Sequence, residues 1–201
     1  MPKREPAKRR KLTPIETLDI EVARGVALDQ RKASGKQLSL FAELGDQPPL
    51  VLLSLGVAAM GAVRRDERLA RTGLRMLAAH ALTTVGKLIG KGVVDRTRPA
   101  EALGKGRYRL ERGGSKQGRL RSMPSGHSGG VTALAVALAP DYPRQAVPAA
   151  AAAGAVMLAQ LPSKNHFLSD VAAGAAIGLL AGGIARWLIP PQDQIRPPAR
   201  P

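Results

Sequence analysis

Apolar residues along this chain are gathered into runs that strongly charged stretches separate. Most runs are apolar on every side, which is typical of helices buried in protein or immersed in lipid. Five such helices are predicted over residues 49–63, 72–91, 126–139, 145–161 and 168–189. The pattern predicts an all-α integral membrane bundle of about five spans. Because several runs are shorter than about 18 residues, a soluble alanine-rich bundle stays open as an alternative.

The segments outside these runs suggest how the chain is organised. Residues 1–14 are basic and polar, and we expect them to be disordered. Residues 15–44 are predicted to form an amphipathic interfacial helix and a linker, because apolar positions recur at helical spacing between charges. Residues 45–190 form the predicted bundle, which contains a hydrophilic connection over 92–123, and the proline-rich tail 191–201 is expected to be irregular.

Composition and charge narrow the classes of function. Apolar residues make up 44% of the chain and aromatic residues only 2%, so the core must consist of small and aliphatic side chains. A formal net charge of +16 favours anionic partners such as acidic lipid head groups, phosphorylated substrates or nucleic acid. Nucleic acid is the weakest of these, because aromatic stacking residues and a recognised binding motif are lacking. The chain has no cysteine, which excludes disulfides and thiolate metal sites.

The second predicted helix carries a polar stripe. His80, Thr84, Lys87 and Lys91 recur at helical spacing and therefore share one face. A polar stripe on a membrane helix is expected to face the protein interior or a wet cavity. We interpret His80 as a buried polar residue of the bundle rather than as a catalytic group.

Three short segments carry residues that suit phosphoryl transfer. If the helices alternate in direction, the end of the second helix and the starts of the third and fifth meet on one side of the bundle. They bring together two cations, a helix start with a serine and a glycine, two histidines and an aspartate: Lys91, Arg98, Ser125, Gly126, His127, His166 and Asp170.

Each residue type has a physical reason to be there. Lys91 and Arg98 can neutralise a phosphate group. Ser125 and Gly126 sit at a helix start, where free N–H groups and the helix dipole favour an anion. Such a cluster is therefore suited to holding a phosphate.

The two histidines suit different steps of phosphoryl transfer. His166 and Asp170 are four residues apart, so they can meet on one helical face. We expect the carboxylate to fix the imidazole tautomer and to stabilise the cation that forms when the imidazole attacks. His127 is then free to protonate the leaving alkoxide.

Taken in order, these segments resemble the motifs of the type 2 phosphatidic acid phosphatase superfamily, a family of membrane lipid phosphatases. The family pattern is Lys, six residues, Arg-Pro; then Pro-Ser-Gly-His; then Ser-Arg, five residues, His, three residues, Asp. The resemblance covers roughly residues 45–190. The matching residues are Lys91, Arg98 and Pro99, then Pro124 to His127, then His166 and Asp170.

The resemblance implies a role for each matched residue. His166 is the implied nucleophile, which forms a phosphohistidine, Asp170 is its partner and His127 is the general acid. The substrate class implied is a lipid phosphate monoester or diphosphate, hydrolysed without a metal or other cofactor by a multi-pass protein of the inner (plasma) membrane. Phosphate binding is implied for Lys91, Arg98, Ser125 and Gly126.

One departure from the family pattern matters. The Ser-Arg pair falls on Ala159 and Gln160, so the arginine that normally contacts the phosphate is missing. Losing such a contact typically costs about 2–4 kcal/mol in the transition state. Lys164, two residues before His166, is a candidate substitute. Two alternatives therefore stay open: an active phosphatase, and a catalytically impaired relative that binds phospholipid head groups without turnover. The side of the membrane that the site faces also stays open.

Overall fold

A computed structural model describes residues 11–29, 31–106 and 108–195 of the chain. The described part is 74% helical with very little sheet, which confirms the predicted all-α class. Two short strands, β1 (Val94–Arg96) and β2 (Leu110–Arg112), interrupt it. The helices within the described residues are α1 (Pro14–Val26), α2 (Ala33–Ala42), α3 (Gln47–Arg64), α4 (Glu67–Val93), α5 (Pro99–Lys105), α6 (Gly126–Leu138), α7 (Pro143–Ala159), α8 (Leu168–Leu188) and α9 (Gln192–Ile195).

The bundle is built around α6. This helix has 13 residues and contacts α3, α4, α7 and α8. Its length is about 20 Å, which is less than the hydrocarbon thickness of about 30 Å that a lipid-facing span must cross. Most of its residues are buried by neighbouring helices, so α6 need not match the membrane by itself. The apolar core lies between α6 and these neighbours and includes Leu50, Met76, Val131, Leu134 and Val156.

Apolar side chains also cover much of the outer surface. Within the described residues, two segments are long and apolar enough to cross a membrane, Gln47–Arg64 and Leu168–Gln194. Large side chains such as Leu52, Leu180 and Trp187 point outwards from these segments. Such a surface is typical of a membrane protein. The count of about five spans stays a prediction, because α4 carries several charges and α6 is short.

The N-terminal segment differs from the single amphipathic helix predicted within residues 15–44. It forms α1 and α2, because the chain leaves helical geometry after Val26 and resumes it at Ala33. Thr13 caps α1: its hydroxyl accepts from the Glu16 amide at 3.3 Å, and the Glu16 carboxylate accepts from the Thr13 amide at 2.7 Å. The tail predicted to be disordered lies outside the described residues, apart from 11–14.

The two faces of α1 are unlike those of a helix on a soluble protein. Ile15 and Leu18 are exposed, whereas Glu16 and Asp19 are buried against the rest of the protein. This arrangement suits an apolar face turned to the membrane, and the interfacial location of α1 stays a prediction.

The hydrophilic connection 92–123 is more ordered than its sequence indicates. Here β1 and β2 pair antiparallel, with Val94 opposite Arg112, and α5 lies between them along the chain. Strands of three residues are too short to show the alternating pattern by which strands are recognised. In the tail that was expected to be irregular, α9 adds one short helical turn, and residues 196–201 lie outside the described part.

Candidate active site

A polar pocket of 240 Å³ lies where α4 ends and where α3 and α6 begin. It contains five of the residues singled out from the sequence, together with four others. Its three cations and two histidines make it suited to a small anion. The lining residues are Gly45, Asp46, Gln47, Lys87, Lys91, Arg98, Gly126, His127 and His166.

The two histidines lie across this pocket from one another. His127 is the second residue of α6, and His166 lies in the connection before α8. Their ring centroids are 6.0 Å apart, with an angle of 59° between the ring planes. Because both imidazoles line the same small cavity, two groups able to take or give a proton flank whatever binds there.

The backbone sets the orientation of His166. Its Nδ1 lies 2.7 Å from the carbonyl oxygen of Ser122. A carbonyl can only accept, so Nδ1 donates its N–H and Nε2 is the nitrogen with the free lone pair. Burial lowers the pKa of His166 well below its usual range, and the nearby Arg98, His127 and Lys91 lower it further. The imidazole is therefore neutral at pH 7.

Asp170 does not make the direct hydrogen bond to His166 that the spacing suggests. Its Oδ2 lies 3.9 Å from Nδ1 of His166, beyond hydrogen-bond distance. The carboxylate instead accepts from the Ser122 hydroxyl at 2.6 Å, from the Phe167 amide at 2.9 Å and from Arg96 Nη1 at 2.6 Å. The physical reason is that Nδ1 is already bonded to Ser122. Asp170 thus fixes Ser122 by a hydrogen bond, and the Ser122 carbonyl in turn fixes the ring of His166.

Arg96 connects this network to α1. Its guanidinium is buried and also donates through Nη2 to Asp19 at 2.6 Å. The Ser169 hydroxyl donates to the same Asp19 oxygen at 2.5 Å. Burial opposes the charge, but Asp170 and Asp19 together raise the pKa of Arg96, which stays cationic. Sequence reasoning missed Arg96 and Asp19, because partners 77 positions apart leave no local signal.

Ser125 caps α6 and does not contact the pocket directly. It is buried and caps α6, since its Oγ accepts from the Ser128 amide at 3.3 Å. Its own amide donates to the Asp170 carbonyl at 3.0 Å, which joins the starts of α6 and α8. Ser125 does not line the pocket, whereas Gly126 does. The start of α6, where the first N–H groups have no partner within the helix, therefore lies at the pocket and suits an anion.

Gln160, which stands where the family has an arginine, makes its hydrogen bonds outside the pocket. Gln160 is fully buried, and its Nε2 donates to the carbonyls of Ala42 at 3.0 Å and Val156 at 3.3 Å. Its Oε1 accepts from Asn165 at 3.3 Å. Neither Gln160 nor Lys164 is among the residues that line the pocket. The geometry therefore does not support Lys164 as the substitute charge.

The sequence did not assign four further lining residues to the site: Gly45, Asp46, Gln47 and Lys87. Lys87 belongs to the polar stripe of α4, so its spacing from Lys91 was the signal available. Asp46 and Gln47 begin α3, and Gln47 Nε2 donates to Thr84 at 3.0 Å. His80, from the same stripe, is buried in the bundle as interpreted and does not line the pocket.

Across residues 11–29, 31–106 and 108–195, no three His, Asp or Glu side chains are grouped so as to hold a metal ion.

Two solved structures share the fold. Aquifex aeolicus LpxE is 21% identical and has a TM-score of 0.61, and the match covers 83% of this chain and 93% of that one. The second is the first transmembrane PAP2 type phosphatidylglycerolphosphate phosphatase from Bacillus subtilis. It is 19% identical with a TM-score of 0.61, and the match covers 92% of this chain and 89% of that one.

Sequence comparison identifies the family. No curated protein matches the chain significantly. The sequence model of the PAP2 superfamily, however, matches residues 72–193, which is more than half of the chain. The matched range includes the three motif segments and the histidines, lysines and arginine that line the pocket. The chain therefore belongs to the PAP2 superfamily.

Proposed function

We propose that this protein is a membrane phosphatase that hydrolyses a lipid phosphate monoester or diphosphate through a phosphohistidine on His166. One observation carries the proposal: an imidazole held through Nδ1 by Ser122, with Nε2 left free, lines a cationic pocket together with a second histidine. A neutral imidazole with a free Nε2 is a nucleophile, and the cations favour a phosphate next to it.

The proposed reaction has two steps. In the first, Nε2 of His166 attacks phosphorus, the bond from phosphorus to the leaving oxygen breaks, and protonated His127 gives its proton to that oxygen. The leaving group is an alkoxide for a monoester and a lipid phosphate for a diphosphate. In the second, His127 takes a proton from water, whose oxygen attacks phosphorus, and the bond to His166 breaks to release phosphate. Lys91 and Arg98 stabilise the charge on the phosphoryl oxygens, as do the N–H groups at the start of α6.

The residues behind His166 support this chemistry. Once Nε2 is phosphorylated, the imidazole carries a positive charge. The Ser122 carbonyl at 2.7 Å and the Asp170 carboxylate at 3.9 Å both face that charge and stabilise it. Asp170 is therefore proposed as a positioning and electrostatic partner of His166.

An apolar groove beside the pocket favours a lipid as the substrate. The groove has a volume of 310 Å³ and is lined by aliphatic residues such as Leu44, Leu50 and Val156. Gly45 separates it from the polar pocket: a Cβ on Gly45 would lie 2.8 Å from Val156 and 3.1 Å from the Cβ of His127. A phosphate in the pocket would therefore place an attached hydrocarbon chain at the mouth of the groove, where apolar surface is buried favourably.

The impaired phosphate-binding relative is the second candidate. It is favoured by a single observation, the neutral and fully engaged Gln160 where the family has an arginine. This candidate predicts that phosphate binds in the same pocket without turnover.

A phosphate-release assay distinguishes the two candidates. Detergent-solubilised full-length protein would be offered phosphatidate, phosphatidylglycerol phosphate and a polyprenyl diphosphate, with H166A as the comparison. We expect release by the wild type and a loss of about 10³-fold or more in H166A. Equal release by both proteins would overturn the role of His166. Phosphate binding by calorimetry without release by either protein would favour the impaired relative.

A further inference from the structure

We propose that Lys87 is a third phosphate-binding cation of this site and replaces the charge that is missing at Gln160. The proposal rests on the proposed phosphatase site and adds a residue that the family motifs do not contain. It is carried by the position of Lys87 in the pocket and by the contacts of Gln160 outside it.

Lys87 and Lys91 approach the pocket from the same helix face. They are one turn apart on α4, and both line the cavity with Arg98. Residues at this spacing lie about 5–6 Å apart at their Cβ atoms, so both ammonium groups can reach one small anion. Two like charges one turn apart repel each other, which makes a bound anion between them more favourable.

The side chain of Lys87 runs along the start of α6. A Cβ added to Gly126 would lie 2.7 Å from Cδ of Lys87 and 3.6 Å from its Nζ. The ammonium group therefore sits beside the first turn of α6, whose open N–H groups form the other half of an anion site. A Cβ at position 126 would therefore displace the lysine side chain from this place.

The position of Gln160 explains why a charge is needed from α4. Its amide is bonded to Ala42, Val156 and Asn165 and is fully buried, so it offers nothing to the pocket. Lys164 does not line the pocket. With Lys87 the lining holds three cations instead of two, and Asp46 is the only carboxylate among the lining residues. In phosphoryl transfer, the charge of the transition state is spread over three equatorial oxygens, which several cations stabilise together.

The test compares lysine variants in the phosphate-release assay and in binding of orthovanadate. K87M is expected to lower kcat/KM by about 10²–10³-fold and to weaken vanadate inhibition by a similar factor. K87R, which keeps the charge, is expected to stay within about tenfold of the wild type. K36M is the matched control, because Lys36 is an exposed lysine of α2 outside the pocket. K87Q replaces K87M if the methionine variant fails to fold in detergent.

Two results would overturn the proposal. One is a K87M or K87Q protein that keeps kcat/KM and vanadate inhibition within twofold of the wild type. The other is a loss of vanadate affinity in K164M but not in K87M, which would assign the charge to Lys164.

Calorimetry separates a failure of the proposed function from a failure of this inference. If the wild type releases no phosphate, inorganic phosphate can still be titrated into the full-length protein. At least tenfold weaker phosphate binding in K87M, with unchanged binding in K36M, would then support Lys87. Unchanged binding in K87M would overturn its role.

Discussion

Arg96 and Asp19 form a buried ion pair, with Nη2 of the arginine 2.6 Å from Oδ2 of the aspartate. The other Nη of Arg96 donates to Asp170, which holds Ser122 and through it His166. Helix α1 lies before residues 72–193, the range that the superfamily model matches. An element outside the matched range therefore contributes to the support behind the proposed nucleophile.

Replacing Asp19 with asparagine tests this connection. D19N leaves Arg96 buried with one carboxylate instead of two. Breaking a buried pair by removing one partner costs about 3–5 kcal/mol, and we expect the low end because Asp170 remains. Thermal unfolding in detergent should show the loss, and phosphate release should fall with it. D29N is the control, because Asp29 is exposed and bonds the nearby Arg31 amide; an equal effect of the two variants would contradict the connection.

Replacing Ser122 with alanine distinguishes the role of its hydroxyl from the role of its backbone carbonyl. S122A keeps the carbonyl that orients His166 but removes the hydroxyl that donates to Asp170 at 2.6 Å. A hydrogen bond to a charged group contributes about 1.5–3 kcal/mol. We expect kcat to fall by about tenfold or more with little change in KM, because the loss acts on the position of His166. S122T restores the hydroxyl and should recover most of kcat, and failure of this rescue would argue against a positioning role.

Packing of α8 on α6 is tested at glycine positions. A Cβ on Gly174 would overlap the carbonyl oxygen of Ser125, at the start of α6. G174A should therefore push the two helices apart and destabilise the protein by about 1–3 kcal/mol. Phosphate release should also fall, because Gly126 and His127 would move with Ser125. G183A provides the control, since a Cβ there meets nothing within 4 Å, and it should be neutral or slightly stabilising.

The low pKa of His166 predicts how stability depends on pH. A histidine in the unfolded chain binds a proton below about pH 6.5, whereas burial keeps His166 neutral in the folded protein. Below pH 6.5 the unfolded state therefore binds a proton that the folded state does not. The free energy of unfolding is highest above pH 6.5 and falls as the pH drops below it. Unfolding temperatures of wild type and H166N between pH 8 and pH 5 test this, and the wild type should lose more. Parallel curves would contradict a neutral buried His166.

Much of the helical framework could be predicted from the sequence. Runs of aliphatic residues bounded by charges are local features, and the five bundle helices α3, α4, α6, α7 and α8 lie where such runs were recognised. The split of the N-terminal segment into α1 and α2 was not predicted, and neither were β1 and β2. Apolar spacing continues across the break between α1 and α2, and strands of three residues carry too little pattern.

Part of the site could be found in the same way. Lys91, Arg98, Gly126, His127 and His166 stand in recognisable short motifs, and all five line one pocket. The partner of His166 was not predictable, because a carboxylate four residues away is only one of the acceptors that can reach an imidazole. The Ser122 carbonyl, 44 positions away, makes that hydrogen bond instead.

The sequence by itself determined the helical class, the superfamily and the residue types available for chemistry, because these depend on periodicity and on short motifs. Only the tertiary structure decided that Asp170 contacts Ser122 and Arg96, that Asp19 completes the pair with Arg96, and that Lys87 rather than Lys164 lines the pocket. A buried charge or hydrogen-bonding group must find a partner, but several partners of the right chemistry occur along the chain. Which of them lies within 3 Å is settled by how the helices pack.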